Sequence, residues 1–295
     1  MPQRTSLADA DCAIAQALDV VGDWWTLLIV RDTARGVHRF DALQEELGVS
    51  RKVLAERLRL LVDAGVLSRE PYQDRPPRYE YRLTRRGRAL LPVLIALQDW
   101  GDTWVLGDGE TMATAAESSK EAARVHALVG TRLPELRLID HEGASRDPVA
   151  GTPYTVLYFF PGAHTRRDAY PPGWSEIPGT SGCTLESCTY RDRSAEFTAA
   201  GASVRGVSTQ RPDEQRAFAE AERLRLPLLS DAELELTAAL RLPTFRTGGT
   251  SRLKRLTLVV DRDRTVREAL YPITDIEESV RAALAAVRNG SPSGA

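Results

Sequence analysis

The stretch Thr180-Ser-Gly-Cys183-Thr-Leu-Glu186-Ser-Cys188 decides how the second half of this 295-residue chain is read. It follows the apolar run Tyr154-Thr-Val-Leu-Tyr-Phe-Phe160, which has the make-up of a buried strand, and it opens a helix expected over 184–200. A thiol is reactive as the thiolate, and a helix N-terminus supplies unpaired amides and the positive end of the dipole. Cys183 is therefore expected to be acidified, while Cys188 lies a turn further inside. Once Cys183 is oxidised to a sulfenic acid, Cys188 can condense with it to a disulfide. In an intact helix an i,i+5 pair points about 140° apart, with Cα atoms beyond the roughly 7 Å a disulfide tolerates, so closing the bond requires local unwinding. On spacing alone, two inert buried cysteines fit the C-x4-C pattern equally well. Zinc needs about four ligands. His38, His126, His141 and His164 are scattered and the cysteines do not stand at metal spacing, so neither a metal nor a cofactor is expected.

On either side of this stretch, strand-like segments at 136–139, 203–207, 226–229 and 256–260 alternate with helical ones at 212–224 and 275–288. Strands separated by helices imply an α/β layer with parallel pairs. Residues 108–127 turn small and polar and read as a linker with room for a short helix. Before it the period is different. Apolar residues at helical spacing run from Cys12 to Arg31, broken at Gly22-Asp23; a short helix over 39–47 ends at Gly48. Ser50 then caps a longer helix with Val53, Leu54, Leu58, Leu61 and Val62 on one face. A hairpin follows, 66–71 and 79–83 around the tip Gln73-Asp74-Arg75-Pro76-Pro77, and then one helix from Thr84 carrying Leu90, Leu94, Leu97, Trp100 and Trp104. That last stripe is apolar enough to want a partner.

Helix, turn, helix and hairpin make a winged helix, whose second helix enters the major groove N-terminus first. The candidates for DNA contact are Ser50, Arg51, Lys52 and Arg57 on that helix, with Arg75 and Arg78 on the hairpin. Charge supports this. The chain holds 39 basic and 41 acidic side chains, net −2, but residues 51–88 hold 11 basic and 5 acidic, net +6, between two segments of −4 each. A local +6 in a groove-facing motif is the footprint of a phosphate-contacting surface. Only three cations are lysine, a bias ascribed to a GC-rich genome. No apolar run approaches the roughly 18 residues of a membrane span, and the acidic start at Asp9 and Asp11 lacks a signal-peptide core, so the chain is expected in the cytoplasm and off the membrane.

Two resemblances follow. Cys12-Ala-Ile-Ala, Gly22-Asp-Trp-Trp-Thr-Leu-Leu-Ile-Val-Arg31, His38-Arg-Phe40, Ser50-Arg-Lys-Val-Leu-Ala-Glu-Arg-Leu58 and Pro76-Pro-Arg-Tyr-Glu-Tyr-Arg-Leu-Thr84 resemble the HxlR-type transcriptional regulators over about residues 8–107. The resemblance implies a homodimer closed by the terminal helices and bound to double-stranded DNA, with Cys12 as a candidate redox sensor. Trp24 stands where that family more often has a basic residue. Val129-Gly-Thr-Arg-Leu-Pro134, Val156-Leu-Tyr-Phe-Phe-Pro161, the cysteine segment, Gly206-Val-Ser-Thr209, Pro227-Leu-Leu-Ser-Asp231 and Arg255-Leu-Thr-Leu-Val-Val-Asp261 resemble peroxiredoxin Q, the bacterioferritin-comigratory branch of the peroxiredoxins. This second resemblance implies a thioredoxin fold and reduction of a hydroperoxide by Cys183 as peroxidatic thiol. It implies Cys188 as resolving thiol, Thr180 hydrogen-bonding thiolate and peroxide, and Arg255 and Glu186 completing the site. Reduction would come from a thioredoxin-like partner. The family's active-site proline lies four residues before the threonine, whereas here an insert, 162–179, separates Pro161 from Thr180 and makes Pro178 a rival.

The expected architecture is thus multi-domain: an α+β winged helix over 1–107, a linker over 108–127, an α/β thioredoxin fold over 128–290 and a disordered tail over 291–295. Its expected function is a peroxide-responsive DNA-binding regulator with thiol-peroxidase chemistry. The alternative is a peroxidase whose winged helix only localises or dimerises it.

Overall fold

The computed structural model describes residues 11–290; Asp9 and the expected tail lie outside them. The chain divides into two compact units, Met1–Leu94 and Ile95–Ala295.

In the first unit, α1 (Ala13–Val21) and α2 (Trp24–Ala34) part at Gly22-Asp23, where the Asp23 carboxylate caps α2 by accepting from the Trp25 N–H at 2.9 Å. Helix α3 (Phe40–Leu47) stops on Gly48, whose φ of 62° is left-handed. Helix α4 (Arg51–Asp63) starts from Ser50, whose hydroxyl accepts from the Val53 N–H at 3.3 Å. Leu43, Leu54, Leu58 and Leu61 close on Ile29 and Val30 of α2, as the helical spacing requires. Strands β1 (Leu67–Asp74) and β2 (Pro77–Leu83) run further than the expected 66–71 and 79–83. Pairing continues through a bulge between Pro71 and Gln73, and the Gln73 side-chain amide donates to the Arg75 and Pro76 carbonyls at 3.1 Å, so the tip shrinks to Arg75 and Pro76. The single helix expected from Thr84 is also broken, into α5 (Arg85–Arg88), α6 (Leu91–Trp100) and a π-turn, Gly101–Val105. Pro92 has no N–H to continue a helix from α5 but fits the first turn of a new one. The division between the two units falls inside α6.

The second unit begins earlier than expected. Residues 108–127, read as a linker, are built into it: Ala113 is fully buried with Trp174 and Phe245, and its N–H donates to the Pro178 carbonyl at 2.9 Å. On α7 (Lys120–His126), the buried Glu121 meets Lys254 Nζ at 3.0 Å and accepts from the Tyr271 hydroxyl. Composition described the side chains of this segment but not the cavity they fill.

Strands β3 (Leu138–Asp140), β4 (Ser145–Arg146) and β5 (Tyr154–Phe159) are followed by the insert, then α8 (Cys183–Asp192) and α9 (Ser194–Ala199). Next come β6 (Ala202–Ser208), α10 (Pro212–Ala221), β7 (Leu228–Ser230) and α11 (Glu235–Leu240). The unit closes with the hairpin β8 (Thr244–Thr247) and β9 (Thr250–Leu253), then β10 (Leu256–Asp261), β11 (Val266–Leu270) and α12 (Ile276–Gly290). The sheet order is β11-β10-β5-β6-β7-β3-β4, with β5, β6 and β7 parallel and β10 antiparallel to β5. Alternate residues of β5 serve opposite faces. Val156 and Tyr158 pack with α8, α9, α10 and α12, while Leu157 and Phe159 pack with α7 and α11. Burial on both faces is why this strand is apolar without alternation. Layered helices on a mixed sheet make this the thioredoxin fold. The β8–β9 hairpin is anchored by Asp99 near the end of α6, whose buried carboxylate accepts from the Thr244 hydroxyl and, at 2.6 Å, from that of Ser251. No single helix among the described residues is long and apolar enough to cross a membrane.

Candidate functional site

Cys183 is the first residue of α8, and Gly182 before it has φ +99°, where a Cβ would stand 2.5 Å from Ile276 Cδ1. Only glycine turns the chain into the helix there. The thiol is 4% exposed. Arg255 Nη2 lies 3.5 Å from Sγ, the Gly162 N–H donates to Sγ, and Sγ itself donates to the Thr180 carbonyl at 3.6 Å. Arg255 is held in turn by a buried ion pair with Glu186, one turn along α8, and by the Ser181 carbonyl at 2.9 Å. Strand β10 starts at the next residue, so the sheet fixes the guanidinium against the helix N-terminus.

The electrostatics overturn one expectation. Burial pushes the Cys183 thiol above its ordinary value, an effect that the Arg255 charge and the Gly162 N–H oppose and Glu186 reinforces. Desolvation is the largest of these effects. Burial likewise pushes Glu186 up to about 7, against the pull of Arg255, and its Oε1 has no partner among the described residues.

Cys188 is half-buried on the same unbroken helix, and its Sγ donates to Glu222 Oε2 at 3.5 Å. Burial raises its pKa, Arg191 opposes, and Glu222 adds to the rise. The intervening turn is pinned to the core by Tyr158, whose hydroxyl meets that of Ser187 at 3.2 Å, and the turn after Cys188 by the Tyr190–Thr257 hydroxyl pair at 3.1 Å. An intact helix holds the two sulfurs on different faces, so a Cys183–Cys188 bond requires this turn to open.

Thr180 is fully buried beside the cysteine, but its hydroxyl is directed at the Trp174 and Ile177 carbonyls of the insert, at 2.7 and 2.9 Å, not at Sγ. The insert folds over the site through two 3-10 turns, Arg167–Ala169 and Trp174–Glu176. Of the rival prolines, Pro161 is buried beside the Gly162 amide that reaches the thiol, whereas Pro178 is exposed and its carbonyl bonds Ala113. Sequence reasoning missed Gln210. Its side-chain amide accepts from the Ala163 N–H and donates to the Ala163 carbonyl, both at 2.8 Å, clamping the backbone next to Gly162 from 47 residues away. No local pattern marks such a residue.

On the first unit, Lys52, Arg75 and Arg78 are exposed and form no ion pair among the described residues. Arg51, also exposed, meets Asp41 at 3.2 Å and lies over the Phe40 ring. Ser50 is occupied as a cap. Arg57 departs from expectation: it bonds Asp23 at 3.0 Å, with 21% of its side chain exposed and its Nε enclosed without a partner. It ties α4 to the start of α2 instead of projecting outward. Cys12 is exposed at the start of α1.

Fold and site define a helix-turn-helix unit joined to a thioredoxin-fold unit with a helix-terminal cysteine, a buried Arg–Glu pair and a second cysteine on the same helix. Two family models match: HxlR-like helix-turn-helix over residues 20–108, and the AhpC/TSA family over residues 176–269. An HTH-type transcriptional regulator of Mycobacterium tuberculosis is 45% identical over 93 residues, which cover 32% of this chain and 59% of that protein. This chain therefore spans under two thirds of the length of that relative. A Mycobacterium tuberculosis protein that bears a peroxiredoxin name is 34% identical over 133 residues, 45% of this chain and 77% of that protein. The crystal structure of the peroxidoxin BcpB from Mycobacterium tuberculosis is 29% identical, with 56% of this chain and 98% of that chain covered and a TM-score of 0.47. The chain belongs to the HxlR-like helix-turn-helix family through its first part and to the AhpC/TSA peroxiredoxin family through its second.

Proposed function

We propose that this chain is a cytoplasmic, DNA-binding transcriptional regulator whose second unit reduces hydroperoxides and whose DNA affinity responds to that oxidation. The observation that carries the chemistry is Cys183 at the first position of α8 within 3.5 Å of Arg255, with Cys188 on the same helix. The Cys183 thiolate attacks the terminal peroxide oxygen. The O–O bond breaks, the alkoxide or hydroxide leaves and takes up a proton, and Cys183 becomes a sulfenic acid. Arg255 stabilises the charge as it moves from sulfur to the leaving oxygen. The Cys188 thiol condenses with the sulfenic acid, releasing water and forming the disulfide; α8 opens in doing so. A thioredoxin-like dithiol then restores both thiols, and no bound cofactor takes part.

The exposed Lys52, Arg75 and Arg78 support double-stranded DNA as the partner of the first unit. Ile14, Leu18 and Trp24, exposed at 72, 49 and 64%, support burial of this apolar surface in a homodimer. The test is a titration of genomic DNA fragments, selected on the reduced protein, at fixed salt before and after stoichiometric peroxide. Affinity should change several-fold in the wild type and not in Cys183→Ser, which should also lose peroxide consumption by about a thousandfold or more. Unchanged affinity in an oxidised wild type would sink the coupled reading and leave a peroxidase that merely carries a DNA-binding unit.

A further inference from the structure

One arginine whose charge reaches Cys183 has no side-chain hydrogen bond or ion pair among the described residues. That side chain belongs to Arg252 on β9, and its Nε is enclosed without an acceptor. Arg252 is half-buried, and a partly desolvated guanidinium gains from an anion that faces it. Arg255, three residues on, does not share this condition, because Glu186 and the Ser181 carbonyl hold it.

The place of Arg252 is set by Gly162. A Cβ on Gly162 would stand 3.4 Å from Arg252 Nη1 and 3.3 Å from Gln210 Cδ, and φ there is +146°, so a side chain is excluded. The N–H of the same glycine donates to the Cys183 sulfur. One residue without a side chain thus separates the unpaired guanidinium from the reacting atom. His164, two residues along the insert, has a buried Nε2 that also lacks a partner, and its ring is held edge-on to Tyr170 at 4.8 Å. Burial and then Arg252 hold His164 below its ordinary value, so the imidazole is neutral near pH 7 and serves as a hydrogen-bonding group. Glu214 is a carboxylate whose charge reaches both Arg252 and His164, but it is engaged in the cap of α10, where Oε2 accepts from the Arg211 N–H at 2.9 Å.

We propose that Arg252, with His164 beside it, binds a carboxylate of the substrate, so that the favoured oxidant is an organic hydroperoxide carrying its own negative charge close to the O–O bond. The assignment rests on the peroxidase reading above. An anionic peroxide approaching the Cys183 thiolate meets two like charges, on sulfur and on Glu186. Arg255 is paired with Glu186, and Arg252, whose charge also reaches Cys183, is the cation left to face the incoming carboxylate. The carboxylate is unchanged by the reaction; only the O–O bond breaks, as already described.

The experiment measures the second-order rate of Cys183 oxidation in the reduced full chain. The probes are a tertiary hydroperoxide of a short carboxylic acid, its methyl ester, and hydrogen peroxide. The acid should react about tenfold faster than the ester, the preference expected of one charge-assisted contact. Acetate added as a competing carboxylate should slow the acid and not the ester. The acid-to-ester ratio within each variant cancels any general change in thiol reactivity; Arg252→Gln should bring it to about one, and Arg252→Lys should keep part of it. Equal rates for acid and ester in the wild type, or a ratio unchanged in Arg252→Gln, overturns the carboxylate assignment while the peroxidase reading stands. Failure of all three probes to oxidise Cys183 overturns both. Should Arg252→Gln not fold, the wild-type ratio and the acetate competition decide.

Discussion

In the first unit Lys52, Arg75 and Arg78 carry their charge in solvent on α4 and on the hairpin, whereas in the second Arg255 and Lys254 are sealed against Glu186 and Glu121. The same chemical type is used in opposite ways. An exposed cation contributes little to folding and much to long-range attraction, and its effect falls with salt. A buried one is bound to its counter-charge: removing either member leaves the other uncompensated, and the local field it creates barely feels the solvent. The molecule thus separates a screened, adaptable face from a preorganised electrostatic site.

The largest break in that contrast should come from Arg255→Met. It strands Glu186 and is expected to lower stability by about 3 kcal/mol at pH 8, with a smaller loss at pH 6, where Glu186 takes up a proton; thermal unfolding at both pH values reads this. In the same variant, Cys183 oxidation should slow at every pH. Next comes the wild-type pH profile. Glu186 is pushed up to about 7 and the fully buried Asp231 to about 6, so the folded state binds these protons more tightly than the unfolded one. Their stabilising contribution is therefore present at low pH, is lost as pH rises toward about 6 and then about 7, and levels off beyond. Glu186→Gln should flatten the upper part of that slope, and an unaltered slope would show that Glu186 does not titrate there.

Arg57→Ala tests which side of the contrast this residue belongs to. It should cost roughly 1–2 kcal/mol in thermal or urea unfolding, from the lost Asp23 bond and packing, and leave the salt dependence of DNA binding alone. The smallest stability effect belongs to Lys52→Gln or Arg78→Gln, within about 0.5 kcal/mol. Each should instead reduce the slope of log affinity against log salt by about one. A substitution that moved stability and left the slope unchanged would place that residue with Arg57.

Much of this was legible along the chain, and the limits have identifiable causes. The spacing of Leu54, Leu58 and Leu61, the cap at Ser50 and the glycine at 48 lie within one or two turns of each other, so local rules suffice to place α3 and α4. Cys183 and Cys188 were recognisable because a helix start and an i,i+5 spacing are local too. The apolar stripe runs on past Pro92 and so hides the break before α6, and the small, polar composition of 108–127 does not show that Ala113 packs with Trp174 and Phe245. The same limit hid Arg57: its position on α4 points to the groove, but its partner Asp23 is 34 residues earlier.

The amino-acid sequence by itself determined the two-part organisation, the winged helix with its local excess of positive charge, and the pair of cysteines at the start of α8 and a turn inside it. Periodicity, capping and charge counts are properties of neighbours in the chain. Only the tertiary structure decided that Arg255 reaches Cys183 across 72 residues, that the Thr180 hydroxyl turns to the insert, and that burial raises the thiol pKa against the pull of the guanidinium. A pKa and a hydrogen-bond partner depend on what surrounds an atom in space, and that is fixed when the sheet, α8 and the insert close on one another.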